Sequence, residues 1–182
     1  MRDHVLNKSP NSNELSPKSP KRKFSLNEDL KEKETYQEIK EAIKENDVRK
    51  VKKFLRSWGE VTLTNDKDET FLMVAIAAAV NADFENLKML QLLLDFYAQI
   101  DAKDSFGRTA LWRAVYYRST GYQKNDIIEF LVNNGADVCL ASRGGISPIS
   151  LAQTGGLIDV LEILKSSPTF LPEVPIDESD SK

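Results

Sequence analysis

Catalysis needs a nucleophile, a group that titrates near neutrality or a set of metal ligands, and this chain offers few of these. Its one histidine is His4, remote from the apolar-rich body, so that body can hold no His-based triad or His metal site. Its one cysteine, Cys139, allows no internal disulfide, and with no second Cys or His nearby it makes neither a thiol enzyme nor a zinc site. We expect Cys139 to be a small, partly buried residue. There is no GxxxxGK[ST], GxGxxG or HExxH; Gly144-Gly145 reads as a turn and Gly155-Gly156 as a break between helices. No enzyme, no cofactor and no metal is expected. Modification chemistry remains. Ser9, Ser16 and Ser19 each precede proline, Ser19-Pro20-Lys21-Arg22 suits a proline-directed kinase, and Arg22-Lys23-Phe24-Ser25 suits a basophilic one. Phosphates there would offset the local positive charge, with an unmodified linker as the alternative. Lys21-Arg22-Lys23 is also a short nuclear-import candidate.

The elements that must position any site occupy the middle of the chain. Residues 1–30 are rich in Ser, Pro, Asn and Lys, and residues 167–182 carry Pro and acids. Such composition buries too little apolar surface to offset ordering entropy, so both read as disordered tails around a body at 31–166. Residues 1–26 hold six Lys/Arg against two acids, a net +4; residues 168–182 hold four acids against Lys182, a net −3. The whole chain carries only −3, which gives no general field for nucleic acid. Phe71–Val80, the longest apolar run, is about half of what a membrane span needs. No apolar stretch follows the charges at the N-terminus, so no signal peptide is expected; a cytoplasmic protein, with the nucleus as alternative, is.

The body repeats itself. Asp104–Ala141 runs DSFGRTALWRA, then IIEFLVNNGADV; Gly145–Ala152 runs GISPISLA; Thr70–Ala75 runs TFLMVA, and a fainter copy spans Glu38–Ala42. This pattern resembles the ankyrin repeat: a turn ending in Gly, T-P-L-H-x-A, then a second helix closing on GADV. Ile39, Leu72, Leu111 and Ile149 take the leucine position at spacings of 33, 39 and 38 residues, against a family period of about 33. The resemblance implies an all-α solenoid of about four helix-turn-helix repeats, at 36–64, 65–102, 103–140 and 141–166. The surplus falls between the two helices of repeats two and three, in VNADFEN and in Tyr116–Asp126, YYRSTGYQKND. About one helical turn plus a loop accounts for it, with the first helix running through Tyr116-Tyr117, breaking near Gly121, and Asp126 starting the next.

The individual positions obey local physics. Thr70, Thr109 and Ser147 can cap helices, Pro148 suits the first helical position, and Ala42, Ala75, Ala114 and Ala152 let neighbouring helices approach. Leu111 should be core. Asp68 and Tyr97 stand where glycines are expected; because Tyr reaches left-handed geometry only with strain, repeat two is expected to end its second helix differently. Lys44, Lys50, Lys52, Lys53 and Arg56 suit the wet face of an end repeat, and with the basic N-terminal tail they form the nucleic-acid alternative, diluted by Glu41, Glu45 and Asp47.

The resemblance implies a binding protein whose turns and first helices line a concave face. Phe106, Arg108, Trp112, Arg113, Tyr116 and Tyr117 fall in one neighbourhood there, with Lys67, Glu69, Ser105, Arg143 and Ile146 on adjoining turns and Tyr122 in the insertion. Aromatics with Arg are the usual hot-spot types; for Trp112 and one tyrosine a core role is the competing reading. The expected partner is another protein, bound by a monomeric adaptor or regulator; a bacterial effector acting on a host protein is the alternative. We also expect Phe106→Ala with Arg108→Ala to weaken capture without lowering Tm.

Overall fold

The computed structural model describes residues 26–58, 61–81, 87–122 and 124–170. Eight helices follow one another in these residues: α1 (Leu26–Lys44), α2 (Val48–Trp58), α3 (Phe71–Asn81), α4 (Leu87–Asp95), α5 (Ala110–Ser119), α6 (Asn125–Asn133), α7 (Pro148–Thr154) and α8 (Ile158–Lys165). Each consecutive pair forms a helical hairpin, and α1, α3, α5 and α7 lie side by side as one layer. In the other layer α2 packs on α4 and α6 on α8. This is the expected solenoid, and its core is continuous: Ile39, Leu72, Leu111 and Ile149, together with Ala42, Ala75, Ala114 and Ala152, are all buried.

The caps follow from residue type. Thr109 Oγ1 accepts from Trp112 N at 3.1 Å, Thr70 Oγ1 from Met73 N at 3.3 Å, and Ser147 Oγ from Ser150 N at 3.2 Å, where Ser150 reaches back to complete a capping box. Between α-helical hairpins the chain forms projecting turns. Asp104 opens one of them by accepting from Phe106 N and Arg108 N; Asn65, at the corresponding place one repeat earlier, accepts from Lys67 N and Glu69 N. Successive turns are laced by backbone bonds, Ser105 N to Lys67 O and Arg143 N to Phe106 O, each 2.9 Å. Gly107 is required twice over: its φ is +74°, and a Cβ would lie 2.7 Å from Arg143 N.

Four expectations need correction. Residues 26–30 belong to α1 rather than to a tail. These residues, LNEDL, contain no Pro and lead into a Glu/Lys-rich stretch of good helix formers, so local propensity extends the helix where composition suggested none. Residues 167–170 are also part of the fold. Ser167 is buried, and Thr169 Oγ1 donates to Ala136 O and accepts from Val138 N, both at 3.2 Å, tying the end of α8 to the GADV segment. Cys139 is exposed, because Val138 takes the inward side of that segment. Tyr97 does adopt left-handed geometry, φ +65°, and closes α4 as a glycine would, with Tyr97 N bonded to Leu94 O and Ala98 N to Leu93 O. Gly135 closes α6 with the same bond pair.

Two backbone bonds and burial of the flanking core hold Tyr97 in a conformation that costs a non-glycine residue about 1–2 kcal/mol. Its side chain is 88% exposed and contributes little packing to offset that. Tyr97→Gly is therefore expected to stabilise the domain by about 1 kcal/mol after the flexibility of glycine in the unfolded chain is subtracted, raising Tm by about 2–4 °C. A scanning melt of the two proteins checks this, and an equal or lower Tm for the glycine variant would refute it.

The insertion of repeat three takes the expected form. α5 runs to Ser119, Gly121 turns with φ +108°, and α6 starts at Asn125, one residue before Asp126. The segment is anchored to repeat four: Arg118 Nη2 and Asn125 Nδ2 both donate to Asp159 Oδ2, at 2.8 and 2.7 Å. Those bonds, Asn125 first, hold the Asp159 carboxyl at about 2. Of the counterpart in repeat two, VNADFEN, Val80 and Asn81 end α3 and residues 82–86 lie outside the described residues.

Candidate functional site

The inner surface is built by α5 and the turns that precede it. Trp112 and Tyr116, one helical turn apart, stack with ring centroids 5.4 Å apart and planes at 13°. Tyr116 meets Tyr117 edge-on at 6.1 Å, and Tyr117 meets Tyr122 likewise at 6.3 Å. At the other end the Arg108 guanidinium lies 4.5 Å from the Phe106 ring and 5.7 Å from Trp112, within the range of cation–π attraction. Six side chains from a turn, a helix and an insertion thus form one continuous ladder. Phe106, Tyr116 and Tyr122 remain exposed, at 53%, 45% and 42%. Trp112 is half-buried, and its Nε1 donates to Ile146 O on the next turn at 3.0 Å; it acts as a wall, shared between core and surface.

Beneath the ladder lies a charge network. The Asp104 side chain is fully buried, and its carboxylate accepts from the Arg108 guanidinium (Nε and Nη2) and from Arg113 Nη2, each at 2.8 Å. Arg113 Nη1 reaches Glu69 Oε1 at 2.6 Å, across to the preceding repeat, and Tyr36 Oη donates to the Glu69 carbonyl at 3.0 Å. The chain Tyr36–Glu69–Arg113–Asp104–Arg108 therefore links three repeats. Burial pushes the Asp104 carboxyl up, but the hydrogen bonds from Arg108, Arg113 and the two amides together outweigh it and hold it below the usual carboxylate range. Arg113, with 11% of its side chain exposed, is a strut of this network rather than a contact surface. Its chain neighbours give no sign of that, since Glu69 lies 44 residues away.

All of the ladder but Tyr122, with Glu69 and Arg113 of the network, lines a groove of about 440 Å³. The same groove is lined by Gln37 and Lys40 of α1 and by Asn65, Asp66 and Lys67 of the preceding turn. Of these, the repeat pattern places only Lys67 on this face; it gives no indication of Gln37, Lys40, Asn65 or Asp66. The Asx-turn spacing of Asn65 and Asp104, an Asn or Asp four residues before each cap-preceding position, is the available signal for the turns. Ser9, Ser16, Ser19 and Ser25 lie outside the described residues. Among the described residues no group of three or more His, Cys, Asp or Glu side chains could hold a metal ion, and no helix is long and apolar enough to cross a membrane.

Repeated helical hairpins, laced turns and a first-helix layer facing those turns define a repeat solenoid with an open inner surface. The chain belongs to the ankyrin-repeat family: the family model for ankyrin repeats in three copies matches residues 39–142, more than half of the chain. It is 31% identical over 106 residues to ankyrin repeat protein L271 of Acanthamoeba polyphaga mimivirus, covering 58% of this chain and 14% of that protein. It is 34% identical over 92 residues to the mouse ankyrin repeat and SAM domain-containing protein 6, covering 50% of this chain and 9% of that protein. The chain thus spans a small part of the length of these relatives. Ankyrin repeats are generally protein–protein interaction modules, and the family is typically non-catalytic.

Proposed function

We propose that this chain is a non-catalytic module that captures another protein on its inner face, acting as an adaptor or regulator. The observation that carries this reading is the aromatic ladder: exposed rings are held in an array by ring–ring contacts and by the Arg108 guanidinium, so less ordering entropy is lost when a partner covers them. Aromatic residues so placed are the side chains on which binding free energy concentrates. The array extends from the turn of repeat three into its insertion, a continuous surface that a single partner segment can cover.

The pair Phe106→Ala with Arg108→Ala does not test this cleanly. Arg108 neutralises the buried Asp104, so its removal is expected to lower Tm, contrary to the sequence-based expectation. Phe106→Ala with Tyr116→Ala removes two exposed rings and their contacts with Arg108, Trp112 and Tyr117, but leaves the buried ion network intact. This double variant is expected to melt within about 2 °C of the parent, while its Kd for a partner isolated by affinity capture rises at least about tenfold. Equal titration curves for the two proteins would reject the ladder as the contact surface.

A further inference from the structure

We infer that the groove between α1 and α5 takes an extended acidic segment, one aromatic side chain of which covers the Phe106–Tyr116 ladder while its carboxylates meet Lys40 and Lys67. This rests on the reading above and names the partner's chemistry. Some of the charge in this groove is already paired within the protein and some is left over. Three acids stand at the groove or under it, and each is satisfied by the protein itself. Asp66 pairs with Lys33 at 3.0 Å, Glu69 with Arg113 at 2.6 Å, and Asp104 lies buried between Arg108 and Arg113. Lys40 and Lys67 line the same groove, and neither side chain has an ion-pair partner among the described residues. The charge left over in the groove is therefore positive, in the same groove as the exposed rings. A ligand that complements both the lysines and the rings needs carboxylates and an aromatic within a few residues.

An extended segment turns successive side chains in alternate directions, so an aromatic and a carboxylate a residue or two apart can contact different parts of the groove. Lysines beside aromatics also suit single-stranded nucleic acid. Two unpaired lysines, however, give little counter-charge for the repeated phosphates of a nucleic-acid backbone. The acidic peptide is favoured for that reason.

The test uses the full chain as bait for a display library of random twelve-residue peptides, followed by fluorescence titration of the selected sequences against three proteins. These are the parent, Lys40→Glu with Lys67→Glu, and Phe106→Ala with Tyr116→Ala. Selected peptides are expected to be net acidic with an aromatic residue, to bind at least about tenfold more weakly to each double variant, and to weaken as salt rises from 50 to about 300 mM. Lys40→Gln with Lys67→Gln repeats the loss without introducing repulsion. Peptides that need Phe106 and Tyr116 but are basic, or are indifferent to both lysine pairs, overturn the acidic partner and leave the protein-binding groove standing. Peptides indifferent to Phe106→Ala with Tyr116→Ala overturn both readings. Tighter binding of a fluorescent single-stranded oligonucleotide, lost in the aromatic variant, overturns the peptide in favour of nucleic acid. Failure to enrich any acidic aromatic peptide also overturns it.

Discussion

Asp104→Ala is expected to destabilise the domain by about 3–5 kcal/mol, measured as the shift in urea unfolding followed by circular dichroism. The side chain is fully buried, and the substitution removes the shared acceptor of two arginines and two backbone amides. Arg113, nearly buried, would keep its charge with only Glu69 to offset it. The amides of Phe106 and Arg108 would lose the bonds that shape the turn, and with it the lacing of Phe106 O to Arg143 N. Asp104→Asn keeps part of the hydrogen bonding and is expected to cost less. The pH dependence follows from a carboxyl held below its ordinary value of 3.8. A depressed folded-state pKa contributes stability that is present above the unfolded value and lost as pH falls through the folded one. The gap between the parent and Asp104→Asn is therefore expected to be constant above about pH 5 and to narrow below about pH 4. A gap that is small at neutral pH, or one that widens in acid, would show that the network contributes little.

Leu111→Ala is expected to cost about 2–5 kcal/mol through the cavity it leaves. Leu111 is fully buried on α5, in one core with Leu72 of the preceding repeat and Ile149 of the following one. In a stack whose units meet only their neighbours, a void in a middle repeat weakens two interfaces at once. Leu111→Met keeps the volume and is expected to lose less than about 1.5 kcal/mol. A melting shift near zero for Leu111→Ala would place the position outside the core and break the repeat register on which the fold assignment rests.

Much of this fold is legible in the order of the residues. The spacing of Ile39, Leu72, Leu111 and Ile149, the caps at Thr70, Thr109 and Ser147, and the glycine at 107 are short-range choices. Each depends on residue type and a few neighbours, which a linear sequence displays. The break near Gly121 and a restart at Asp126, one residue from the observed start, are visible for the same reason. The candidate site is only half legible: Phe106, Trp112, Tyr116, Tyr117 and Tyr122 can be named as aromatics near one another, but not as one stacked ladder. Tyr97 shows the limit from the other side. Its preference argues against a left-handed turn, and the packing of the helix it terminates overrides that preference.

The sequence by itself determined the period, the helix boundaries set by caps and glycines, and the apolar stripes that become the core, because all of these arise from interactions within one repeat. Only the tertiary structure decided that Arg113 is a strut, that Thr169 braces the GADV segment, and that Lys40 shares a groove with the aromatic ladder. Those contacts join residues from different repeats, such as Glu69 with Arg113 and Ala136 with Thr169. A side chain's charge and hydrogen bonds are directed outward from its own element, so whether they are spent or available depends on what the fold brings beside them.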